Sequence, residues 1–111
     1  WLFVGDEWQR NAEFSVARTG QKGVETYYID LLLRSTSGAD VRIVDFKTNT
    51  PEPAETLQSF ESRMLETYAP QMHTYVAIIA AMEHRVPRAF LFLTHSQRLV
   101  EFDFKIQQET E

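Results

Sequence analysis

At 111 residues, with 43% apolar and 13% aromatic side chains, the chain is sized for one small domain with a real core and is not a disordered segment. It contains no cysteine, which excludes disulfides, zinc–thiolate sites and iron–sulfur clusters. Its net charge of −5, from 11 basic and 16 acidic residues, is the wrong sign for gripping nucleic acid through a global field.

Trp1 to Trp8 is apolar around a Gly5-Asp6 turn signal. Glu13 to Arg18 alternates as a half-buried strand should, and Thr19 to Gly23 turns. Glu25 to Arg34, rich in Tyr, Ile and Leu, reads as a buried strand. Ser35 to Asp40 closes a hairpin, and Val41 to Lys47 returns as the third strand. Short connections make three antiparallel strands the economical start.

Thr48 to Pro53 is a loop, since each proline disfavours helix in the residue before it. Leu57, Phe60 and Met64 predict a modest helix ending near Glu66. A stronger helix is predicted from Pro70, with Thr67 as N-cap and Met72, Tyr75, Val76, Ile79 and Met82 or Glu83 on its apolar face. Pro87 stops it. Ala89 to Leu93 and Leu99 to Phe104 read as two more strands, and the polar tail from Gln107 as a frayed end. The fold expected is a single α/β (or α+β) domain, with a long helix packed on a mixed sheet that begins with three antiparallel strands.

Chemistry concentrates between Asp30 and Lys47. Asp30 sits in the second strand, and Asp45 follows fifteen residues later with Lys47 two beyond it. In an extended strand Asp45 and Lys47 leave the same face, and pairing of the strands brings Asp30 beside them. Two carboxylates about 4 Å apart repel by roughly 4 kcal/mol at an effective dielectric near 20, so such a pair invites a proton or a metal. Hard divalent cations such as Mg²⁺ take carboxylate oxygens, with water and substrate phosphate completing the shell. A lysine on the same face can orient that water and offset transition-state charge. The pattern points to a metal-dependent nuclease centre.

These residues, with Glu13-Phe14-Ser15, Ile29-Asp30-Leu31, Ile43 to Thr48 and Gln71 to Tyr75, resemble the RecB-like nuclease branch of the PD-(D/E)XK superfamily. That domain stands at the C-terminal end of the RecB and AddA helicase-nucleases. Asp-x-Lys alone recurs by chance; Asp, then Asp-x-Lys at this spacing, then Gln-x-x-x-Tyr opening a helix is far more specific. The resemblance implies a restriction-endonuclease-like core and a DNA nuclease of recombination and repair that uses Mg²⁺ or Mn²⁺ and works beside a helicase module. It implies that Asp30, Asp45 and the backbone carbonyl of Phe46 hold the metal, that Lys47 serves catalysis and that Glu13 is an acidic member at the edge. Gln71 and Tyr75, at i and i+4, would face the site or the DNA backbone. The residue before Asp30 is Ile29 where the family name has proline. The family's motif histidine lies on a helix before the first strand, and Trp1 to Ala12 supplies none. The expectation is a C-terminal fragment of a larger chain lacking that helix, its strand delivered by a neighbouring module.

Two other readings compete. A catalytically inactive nuclease-like domain that binds DNA or braces an assembly fits the missing histidine. A small α/β ligand-binding module, its acids structural, fits the negative charge. His73 is expected to face solvent, His84 to complement the helix C-terminus, and His95 to lie in an exposed turn. Glu52, Glu55, Glu61 and Glu66 form an expected solvated face, and Met72 and Met82 are expected in the core. No apolar run approaches the roughly 20 residues that span a bilayer, and no basic leader is visible. A cytoplasmic location away from membranes is therefore expected.

Overall fold

The computed structural model describes residues 7–104. The Gly5-Asp6 signal and the tail from Gln107 lie outside the described residues. Five strands form one sheet in sequence order: β1 (Trp8–Gly20), β2 (Gly23–Ser35), β3 (Val41–Lys47), β4 (Arg88–Leu93) and β5 (Arg98–Glu101). The first three pair antiparallel, β3 and β4 run parallel, and β5 returns antiparallel. A parallel pair needs a long crossover, and helix α1 (Leu57–Glu83) supplies it. The mixed sheet with one packed helix is the α/β architecture that the sequence predicts.

One face of the sheet receives α1. Phe60, Met64, Met72, Tyr75 and Ile79 from the helix pack with Ile29, Leu32, Val41, Ile43, Leu91 and Leu93. On the opposite face Trp8, Leu31, Leu33, Val44 and Phe90 form a smaller cluster. In the β2–β3 hairpin, the Ser35 hydroxyl accepts from the Ala39 and Asp40 amides at 3.1 and 3.0 Å, and Gly38 takes the left-handed conformation there (φ 79°).

The two predicted helices are one. Helix α1 runs 27 residues straight through Pro70, capped by Thr56, whose hydroxyl accepts from the Ser59 amide at 3.0 Å. Thr67 caps nothing, because no helix starts there. An interior proline costs about 3 kcal/mol through one lost donor and a steric clash. Phe60 and Met64 before it and Met72, Tyr75 and Ile79 after it are all buried on the same sheet. Burial of each such side chain contributes about 1.5–3 kcal/mol, so packing of both halves outweighs the break. The left-handed His84 (φ 60°) ends the helix, its amide donating to the Ala80 carbonyl at 2.9 Å.

Other expectations are corrected. Met82 is 42% exposed and lies outside the core. His73 is half-buried, its ring 4.0 Å from that of Phe104, because the segment after β5 folds back against the helix. Glu55 and Glu61 are not simply solvated. Glu55 takes the Arg63 guanidinium at 2.8 Å, which holds its carboxyl down to about 2, and Glu61 pairs with Arg98. Strand β1 begins at Trp8 and reaches Gly20, beyond the predicted bounds on both sides.

The β1–β2 hairpin carries a feature that simple alternation does not predict. Asn11 and Phe14 both turn to the helix face, as do Leu32 and Ile29 across from them. Each strand therefore slips by one residue at the same rung. On β1, Glu13 makes the slip in the left-handed region (φ 52°), which non-glycine residues adopt rarely. On β2 the slip falls at Asp30 and Leu31.

Candidate metal centre

Asp30 sits where β2 leaves β3. The last rung between these strands is Leu31 with Val44, and continuing that register sets Asp30 opposite Asp45. Beyond it the Phe46 amide has no β2 backbone partner, and the Asp30 carboxylate accepts its hydrogen bond at 2.8 Å. The N–H and C=O of one extended residue leave the same strand edge, so the Phe46 carbonyl also faces this gap. The Phe46 side chain points to the other face, edge-on to Phe92 at 5.9 Å between centroids.

Asp45 is 5% exposed on the helix face of β3. Burial pushes its carboxyl up to about 6; the neighbouring Asp30 carboxyl adds to the rise, and the Lys47 ammonium opposes it. Lys47 Nζ lies 3.0 Å from Asp45 Oδ2. The contact is an ion pair, and beyond it that buried oxygen has no hydrogen-bond partner. A buried, imperfectly satisfied carboxylate oxygen is costly. The acids-and-lysine arrangement expected from the sequence is therefore assembled in space.

Helix α1 closes this centre from above. Tyr75 is buried, and its hydroxyl is held protonated, first by burial and then by the charges of Asp45 and Asp30. Gln71, an exposed residue, opposes these effects through its side chain beside that hydroxyl. Tyr27 of β2 packs edge-on to Tyr75, centroids 6.5 Å apart. Glu13 lies across from Asp30 by register but is exposed. Among the described residues no three His, Cys, Asp or Glu side chains gather as a metal cluster, so Glu13 does not join the two aspartates.

Sequence reasoning missed Tyr68. Its ring centroid is 4.2 Å from Lys47 Nζ, and its hydroxyl is 3.4 Å from Asn49 Oδ1. The signal was present: Tyr68, Gln71 and Tyr75 fall at i, i+3 and i+7 on one helical face. Splitting the helix at Pro70 concealed it.

A comparison with known protein families matches residues 13–110 to the PD-(D/E)XK nuclease superfamily. The chain belongs to that superfamily. The matched span contains Asp30, Asp45, Lys47, Gln71 and Tyr75. No curated protein sequence matches the chain. Among the described residues, no helix is long and apolar enough to cross a membrane.

In this nuclease-superfamily fold the two aspartates suit a hard cation. Their oxygens belong to the class that Mg²⁺ and Mn²⁺ take, and the buried Asp45 Oδ2, with no hydrogen-bond partner beyond its ion pair with Lys47, is the type of atom such an ion satisfies.

Proposed function

We propose that the domain is a metal-dependent deoxyribonuclease that hydrolyses phosphodiester bonds with Mg²⁺ or Mn²⁺. The observation that carries the reading is the buried Asp45 carboxylate, set against Asp30 and 3.0 Å from the Lys47 ammonium. Asp30, Asp45 and the Phe46 carbonyl would hold the cation. When bound, such a cation polarises the phosphate and makes a coordinated water a better nucleophile. Lys47 would orient the attacking water and balance charge on the phosphate oxygens. Tyr75, kept protonated, would donate its hydroxyl hydrogen toward the carboxylates or the DNA backbone, with Gln71 beside it. Glu13 would act from the edge of the site.

The resemblance to RecB-like domains supports placing this activity beside a helicase module in DNA recombination or repair. The charge of −5 is consistent with a strand delivered by a neighbour rather than captured by the domain's own field. Calorimetry with Mn²⁺ tests the centre: binding is expected for the native chain and lost in Asp45→Ala. Degradation of DNA by a chain extended upstream, abolished by Lys47→Ala, tests the reaction. The lack of a third metal-ligating side chain among the described residues favours a second reading, a catalytically silent domain that binds DNA or braces an assembly. An extended chain inert with both cations would support it.

A further inference from the structure

The carboxylate pair does not explain the aromatic ring on the other side of Lys47. The ammonium lies 4.2 Å from the Tyr68 ring centroid, within cation–π range. The Tyr68 hydroxyl reaches Asn49 Oδ1 at 3.4 Å, two residues past Lys47 on the segment that leaves β3. One helical side chain thus holds both the lysine head and the chain just beyond it.

We propose that Tyr68 is a positioning residue for Lys47, its ring keeping the ammonium at the carboxylate pair when Asp45 turns its oxygen to a cation. The inference rests on the metal-nuclease reading above. Lys47 and a metal would compete for the same atom, since Asp45 Oδ2 is the oxygen the ammonium now touches. An oxygen committed to a divalent cation attracts the ammonium less, and the two positive charges repel. A lysine on a flexible four-carbon stem would then leave. The ring prevents this without using any of the three ammonium N–H groups, which stay available for water or a phosphate oxygen. A carboxylate at position 68 would hold Lys47 too, but it would take a donor and compete for the cation. The helix presents the ring from the face that also carries Gln71 and Tyr75, so one rigid element sets all three.

The test compares Tyr68→Phe, which keeps the ring, with Tyr68→Leu and Tyr68→Met, which remove it; the second covers a folding failure of the first. In proton NMR of the metal-free domain, the Lys47 ε-methylene signals are expected upfield in the native chain and in Tyr68→Phe, displaced by the ring current. They should return to the free-lysine position in the ring-less variants. On DNA with Mn²⁺, in the chain extended upstream, the ring-less variants are expected to lose kcat about tenfold, with KM little changed and Tyr68→Phe close to native. Unshifted Lys47 signals in the native chain, or ring-less variants with native kcat, would overturn the proposal. A chain extended upstream that is inert while its Lys47 signals are shifted would instead sink the nuclease reading, leaving the ring contact as structure alone.

Discussion

The Asp30 carboxylate accepts the Phe46 amide at 2.8 Å, at the rung where the β2–β3 backbone ladder has just ended. A side chain thereby completes a sheet that the backbone leaves open, and the same carboxylate faces Asp45. Structure and chemistry share one group.

That sharing predicts different results for two substitutions. Asp30→Asn keeps an acceptor for the Phe46 amide and should leave thermal stability near native while weakening Mn²⁺ binding at least tenfold. Asp30→Ala removes the acceptor as well and should cost about 1.5–3 kcal/mol, the range for a charge-assisted hydrogen bond. Calorimetry and thermal melts of both variants check this; equal melting temperatures would show that the amide contact carries no stability.

Asp45 gives a pH dependence whose sign is fixed by its raised carboxyl. Burial and Asp30 lift it from 3.8 to about 6, so the fold favours the protonated acid. The associated stability is fully present below pH 4 and is lost as pH rises through about 6. Solvent screening reduces the effect to about 1–2 kcal/mol. Metal-free Asp45→Asn should therefore melt higher than native at pH 8 and lose this pH step. A native melting temperature that rises between pH 5 and 7, with the step unchanged in the variant, would contradict the assignment.

Arg34 fastens the sheet to the end of the helix. Its guanidinium bonds Glu83 through two nitrogens at 3.0 and 2.9 Å and Asn11 at 3.1 Å. Bidentate, partly buried pairs exceed ordinary surface ones, and Arg34→Ala should cost about 2 kcal/mol. Denaturant melts check it, with Arg34→Lys expected to recover only part because lysine lacks the planar fork.

Pro70 should be a net liability for the helix. Pro70→Ala restores a backbone donor within α1 and is expected to raise stability by about 1–3 kcal/mol. Because Tyr68 and Tyr75 flank this point, Lys47-dependent activity is the second measurement. A more stable variant with lower kcat would mean that the proline sets the angle of the aromatic face.

The strands and the core face of the helix were legible because burial imposes periods of two and 3.6 on residues such as Ile43 and Ile79. Asp45 and Lys47 were legible on the same grounds. The continuous helix was not, since proline is a local signal and the burial of Phe60 and Met64 that overrules it is tertiary. The pairing of Glu55 with Arg63 and of Glu61 with Arg98 was hidden because the folded chain brings these partners together. Tyr68 was missed for a related reason: its role depends on Lys47, 21 positions away.

The matched slip at Glu13 and Asp30 bears on how such a hairpin tolerates insertions and deletions. Loss of either residue alone would exchange the buried and exposed faces of one strand beyond that point. Loss of both would leave two regularly alternating strands and the same core. The rung carrying Asp30 is, in this sense, a matched insertion in an otherwise ordinary hairpin. A relative could discard it, and the proposed metal site with it, while keeping the fold.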